Sequence, residues 1–320
     1  MTGAVYDRGY RPYEGVRGGR RSARAALLRA SVRRALGIRR EWRQKVAPFA
    51  LLGIAVVPAI VNVGVRYLTR DTPAEGIEFL SYRDYVGVSN SLLVFVALTA
   101  PDILCPDRRQ RVLPLIFARP LTGIDYVVAK VGTMASIVFA FSVIPQLVLF
   151  VGQMLVSDDG SLRYLRDNAD VLWRVPVAAG LLALYYAIIG SAIASLTSRR
   201  IIAGASIIGL FLITSAVSAI LVGPETHDGR ELAPPAASTI PVEGRQAWLV
   251  VVEEDPSAAP LLNLAGLPLV LRDVVFLGEV DSDHPMSGLA NGGLLASGMY
   301  VLVVGAGLAT LVYRYREVDR

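Results

Sequence analysis

Residues 175–224 read VPVAAGLLALYYAIIGSAIASLTSRRIIAGASIIGLFLITSAVSAILVGP, two runs free of Asp, Glu, Lys and Arg that are parted only by Arg199 and Arg200. A helix needs about 20 predominantly apolar residues to cross a hydrocarbon core, and each run is long enough. Four more runs lie outward of this pair, at 46–65, 85–104, 131–156 and 293–313. Among the six only the second holds a charge, Asp102, placed near one end where a carboxylate reaches the interface. The chain is 53% hydrophobic and 18% charged with a mean hydropathy of +0.49, more apolar than a soluble domain of 320 residues needs. The surplus has to face lipid. The expected fold class is an all-α integral membrane domain of six transmembrane helices over 46–313, preceded by a basic segment, 1–45, and followed by a short tail, 314–320.

Six spans put both termini on one side, and the distribution of Lys and Arg decides which side that is. Thirteen basic residues precede the first run, and 23 of the 32 basic residues fall on the same side as that segment. The nine others face the opposite way with most of the acidic residues. The richer side is therefore expected to be cytoplasmic. Within it, 22–45 sets Leu28, Val32, Ala35 and Trp42 along one helical face with Arg29, Arg33, Arg34 and Arg40 largely elsewhere, the pattern of a helix lying in the membrane surface. A basic tail that merely enforces topology is the alternative. The longest loop, 225–291, is too apolar for a plain linker and is expected to form short helices on the outer face. Its stretch 257–271 is only 15 residues long and contains Pro260 and Pro268, so it is expected to be re-entrant or interfacial rather than a seventh span.

The chemistry is bounded from several sides. Cys105 stands alone, so neither an intrachain disulfide nor a cysteine metal cluster can form, and His227 and His284 lack the close spacing of a metal pair. The phosphate-loop pattern G-x-x-x-x-G-K-[ST] does not occur, and Gly305-Ala306-Gly307 sits inside the last run, where such residues serve helix packing. Paired intramembrane aspartates, H-E-x-x-H and G-x-S-x-G are all missing, so no enzyme is expected. The runs carry neutral polar residues instead: Asn62, Asn90, Gln146, Gln153, Thr214, Ser215 and Ser218. An ion-driven carrier would need ionisable groups at membrane depth, which these runs do not hold.

Residues 101–132, PDILCPDRRQRVLPLIFARPLTGIDYVVAKVG, and the leader YDRGYRPYEGVRGGR at 6–20 resemble the second-to-third-span connection and the N-terminal segment of ABC type-2 transporter permeases. The resemblance implies a bacterial plasma-membrane exporter subunit with both termini cytoplasmic. Its partners would be two ATP-binding subunits, a second permease, identical or paralogous, and membrane lipid, with no nucleic acid. No cofactor is implied on this chain, ATP and Mg being held by the partner ATPase. Asp107, Arg108, Arg109, Arg111 and Arg119 become candidate ATPase-docking residues, and Leu28, Val32 and Trp42 mark an interfacial connecting helix. The second and fifth spans would line the translocation path, which points to Asn90, Ser91, Thr99, Thr214, Ser215 and Ser218. An ordinary positive-inside loop would show the same arginines, but it would not need the apolar Val112, Leu115, Ile116 and Phe117 that return at helical spacing. A membrane scaffold or assembly protein and an ion-driven carrier are the competing readings.

Overall fold

The computed structural model describes residues 19–36, 42–69, 81–86, 89–118, 121–157, 160–222, 258–282, 284–287, 289 and 291–316, and every regular element among them is helical. In chain order these are α1 (Arg20–Ala35), α2 (Trp42–Thr69), α3 (Tyr82–Tyr85), α4 (Ser89–Arg109), α5 (Leu113–Phe117) and α6 (Gly123–Val156). There follow α7 (Ser161–Asp167), α8 (Val171–Leu196), α9 (Arg200–Val222), a 3₁₀ turn over Ala259–Leu262, α10 (Leu267–Leu277) and α11 (Gly292–Arg316). The leader at 6–20 but for its last two residues, Arg119, and the loop residues 223–257 with His227 lie outside the described residues.

Among the described residues five helices are long and apolar enough to cross a membrane: Phe49–Thr69 of α2, then α6, α8, α9 and α11. The run at 85–104 corresponds to α4, which starts later, after the separate turn of α3, and continues through Pro101 and Pro106 to Arg109. Its last third brings in Asp102, Asp107, Arg108 and Arg109, so its described part is less apolar than the other five. The burial pattern explains why it can be. Leu92, Phe95, Val96, Ala97, Ala100, Ile103 and Leu104 of α4 are all buried, because this helix runs between α8 and α9.

α8 is the central helix. In its most apolar window 72% of the residues are buried, against 17% in each of α2, α9 and α11. Small residues let α4 approach it: a Cβ on Gly190 would stand 2.9 Å from Val96 Cγ1, and one on Gly204 of α9 would stand 2.9 Å from the Ala97 carbonyl oxygen. Gly307 likewise faces Ile188, where a Cβ would come within 2.7 Å of Cγ2, so its place is helix packing. The outer helices expose Ile54, Ile60, Val61, Ile201, Ile213, Ile220, Leu294, Val301 and Leu302, each more than half accessible. Leaving a large aliphatic side chain in water forgoes about 1.5–3 kcal/mol, so a surface with this many is stable only against hydrocarbon. The chain is a multi-pass membrane protein.

Residues 258–282 fold back into the bundle. Ala259 O accepts from Ser218 Oγ at 3.2 Å, Asn263 Oδ1 from Ser215 Oγ at 2.8 Å, and Ala265 O from Tyr186 Oη at 3.1 Å. Tyr186 is about 22 Å along α8 from its first residue at 1.5 Å per residue, so the turn reaches the middle of that helix. α10 then climbs back, and Phe276 O meets Arg174 Nη1 at 3.0 Å in the first turn of α8. At 11 residues α10 is too short to span.

Candidate functional site

The end of the bundle that carries α1 is built around two buried carboxylates. Asp107 is 1% exposed; its Oδ2 lies 2.6 Å from Lys130 Nζ and accepts from Tyr126 Oη at 3.0 Å, while Oδ1 accepts from Arg34 Nη1 at 2.6 Å. Lys130 also donates to Ile103 O at 3.1 Å. Tyr315, in the last turn of α11, packs on Tyr126 with ring centroids 4.8 Å apart. One carboxylate thus joins α1, α4 and α6, with α11 packed against the same tyrosine.

Asp125 performs the second junction. Thr122 caps α6: its Oγ1 accepts from Asp125 N at 3.3 Å, and Asp125 Oδ2 accepts from Thr122 N at 3.1 Å, a reciprocal capping box. The same carboxylate takes Arg20 Nε at 2.5 Å and Arg24 Nη2, so α1 is clamped along α6. Arg20 is held above its ordinary basicity by the hydrogen bond to Asp125 and by that charge. Leu28 Cδ1 lies against Gly132, and Val32 is half-buried.

Above the first junction α4 ends in a turn held by Arg111, whose φ of 52° lies in the left-handed region that non-glycine residues seldom adopt. Arg109, Gln110 and Arg111 are exposed on this turn, and Leu115 of α5 is 72% exposed, while Ile116 and Phe117 pack on the core. Arg108 turns inward and donates to Ser195 O. A cleft of about 260 Å³ separates this turn from the α8–α9 connection, lined by Cys105, Pro106, Arg109, Gln110, Ser198 and Arg200.

The candidate docking residues therefore separate. Arg109 and Arg111 are on the surface, Arg108 is half-buried, and Asp107 is not on that surface at all: it is enclosed because two cations from other helices neutralise it. The helix expected over 22–45 is divided. Leu28 and Val32 belong to α1, whereas Trp42 opens α2, and its side chain lies outside the described residues.

The candidate path residues are not brought together either. Thr99 lines a groove of about 540 Å³ between α4 and α9, with Phe95, Leu98, Ile208 and the ion pair Asp102–Arg200 at 2.8 Å. Ser91 lines a separate, much smaller crevice beside Ser142 and Pro145. Thr214 donates to Leu210 O of its own helix at 2.9 Å, and Ser215 and Ser218 hold the 258–265 segment. The Asn90 side chain lies outside the described residues.

No protein-family model, curated protein or solved structure matches the chain.

The residues that organise this end, Lys130, Asp125, Arg20, Arg24, Arg34 and Tyr126, escape a hydropathy reading because charge closes an apolar run. Two signals were present. Thr122-x-x-Asp125 is a capping-box spacing ahead of an apolar run, and Lys130 is one of only two lysines in an arginine-rich chain. A compact ammonium fits between Asp107 and Ile103 O, where a planar guanidinium would demand more room. Among the described residues no three His, Cys, Asp or Glu side chains gather as a metal site would require. The two carboxylates are matched by arginine and lysine, so their chemistry is to fix chain segments.

Proposed function

We propose that this chain is the membrane-spanning permease subunit of an ATP-binding-cassette exporter in a bacterial plasma membrane. A separate ATPase chain, carrying ATP and Mg, docks on the α1 end, and the permease works beside a second, identical or paralogous, copy. On this reading α4 is the sixth span: its 21 residues measure about 31 Å, close to the hydrocarbon thickness. Both termini are then cytoplasmic, and 258–282 is a re-entrant segment entering from outside.

The observation that supports the reading is the stacking of an exposed cationic turn on a buried ionic anchor. Arg109 and Arg111 present charge beside a cleft, and Asp107, two residues before Arg109, is fastened to α6 through Lys130 and to α1 through Arg34. A push on the turn is passed to three helices at once, as conversion of an ATPase's motion into a bundle's motion requires. α6, at 34 residues, measures about 51 Å and outreaches the hydrocarbon core by some 20 Å. Lys130 lies in its second turn and so at an interface rather than at mid-depth, which is where an ion-coupling site would sit.

The docking surface is tested by reversing its charge. The double variant Arg109→Glu/Arg111→Glu is expected to reach the membrane normally and to lose stimulated ATP hydrolysis with its partner. Unchanged hydrolysis and transport in that variant would remove the docking assignment.

A further inference from the structure

The end of the bundle opposite α1 holds a pocket of about 580 Å³, within the range of small-ligand sites. Its charged lining is Arg66, Arg83, Arg174, Asp167 and Asp170. Most of that charge is matched. Arg83 has Asp84 at 3.2 Å, Asp281 at 2.6 Å and Asp273 at 4.0 Å, Asp167 faces Arg163 at 3.8 Å, and Asp170 meets Arg174 Nη1 at 3.0 Å.

Two positions remain open: the Arg66 guanidinium, and the Nε–H of Arg174, whose Nη1 is already paired with Asp170. Arg66 has no acidic partner among the described residues; its guanidinium carbon stands 5.9 Å from the Tyr164 ring centroid. Arg174 Nε is buried without an acceptor. A buried N–H left without an acceptor is costly, and an oxyanion is the group that would satisfy both positions. The wall behind them is already organised: Gln153 Oε1 accepts from Tyr82 Oη at 2.8 Å and from Tyr164 Oη at 2.6 Å, and Gln153 Nε2 donates to Asn62 Oδ1 at 3.1 Å.

Depth narrows the chemistry. The pocket opens where α2 and α6 end and α8 begins, and Tyr67, Leu68, Leu155 and Trp173 around it are all more than half exposed, the mixture of aromatic and aliphatic side chains found at the membrane–water boundary. We propose that this pocket binds a phosphate ester through Arg66 and Arg174, at the depth of phospholipid headgroups. The site does not depend on how the chain is energised.

The test is a titration of the purified full chain in a nonionic detergent with dihexanoyl phosphatidylglycerol, glycerol 3-phosphate and inorganic phosphate, with dihexanoylglycerol as the phosphate-free probe. Saturable binding of the phosphatidylglycerol is expected. Arg66→Gln is expected to weaken it about tenfold, the loss of roughly one charge-assisted hydrogen bond, with Arg66→Lys in between and Arg314→Gln, at the other end, unchanged. Binding by the phospholipid alone assigns the site to lipid, and equal binding by glycerol 3-phosphate assigns it to a soluble phosphate ester. Equal binding of dihexanoylglycerol, no saturable binding of any phosphate probe, or undiminished binding by Arg66→Gln would overturn the proposal.

Discussion

Lys130 Nζ lies 2.6 Å from Asp107 Oδ2, and the two side chains are 3% and 1% exposed. A buried pair of this kind adds little over an apolar pair of the same volume, because taking both charges out of water costs nearly as much as their attraction returns. Removing one member is another matter. Asp107→Asn strands Lys130 in the protein and is expected to destabilise the fold by about 3–5 kcal/mol. The double variant Asp107→Leu/Lys130→Met should recover most of that loss, since Arg34 is 39% exposed and can turn to water. Thermal unfolding in detergent measures both; a single variant as stable as the double would show that the pair does not hold α4 to α6.

The hold of α1 on α6 is expected to depend on Asp125. Arg20 and Arg24 both end on that carboxylate with about half of each side chain exposed, so Asp125→Ala removes the clamp and the half of the capping box in which the carboxylate accepts from Thr122 N, while the Thr122 cap itself is kept. α1 contains arginines throughout, and limited trypsin digestion is therefore a direct readout. Cleavage between residues 20 and 34 should accelerate in Asp125→Ala while the rest of the pattern is kept.

The folded-back segment gives a graded pair of variants. Asn263 Oδ1 accepts from Ser215 Oγ, Ala265 N and Gly266 N at 2.8, 3.2 and 3.0 Å, whereas Tyr186 Oη makes one bond, to Ala265 O. Tyr186→Phe is expected to cost about 1 kcal/mol, and Asn263→Ala more, as several donors lose their acceptor together. Hydrogen exchange at the amides of 265–267 reports the difference. Equal protection in both variants would place the support of this turn elsewhere.

Acid should loosen the segment that follows α10. The Met286 backbone N–H donates to Nδ1 of His284 at 3.3 Å, which requires that nitrogen unprotonated. Burial lowers the His284 pKa below its ordinary value of 6.5, with Asp273 and Asp281 opposing in part. A depressed histidine stabilises the fold in its neutral form. That contribution is complete above about pH 6.5 and is lost as pH falls through the folded pKa. Exchange of the Met286 amide should accelerate over that window, and His284→Gln should flatten the dependence.

The spans were legible in the sequence wherever apolar side chains meet lipid, because burial in hydrocarbon needs only hydrophobicity and length. The runs at 131–156, 175–198, 201–224 and 293–313 all fall on helices that the structure finds long and apolar enough. Their ends were less legible. α6 starts eight residues before the run at 131–156, since Asp125 and Lys130 are neutralised by Arg20, Arg24 and Asp107 from distant parts of the chain. Hydropathy registers a charge without registering its partner. The same limit applies at Ser215 and Ser218: their spacing shows a common helix face, but their acceptors, Asn263 and Ala259, are more than 40 residues away.

The most direct test of the exporter reading is affinity purification of the tagged chain in mild detergent, followed by mass spectrometry of the complex and an assay of ATP hydrolysis. Stoichiometric recovery of an ATP-binding subunit, with hydrolysis lost when Arg109 and Arg111 are both changed to Glu, is the expected result. A chain that purifies alone under conditions that preserve a known ATP-binding-cassette complex would contradict it and leave a scaffold or a carrier.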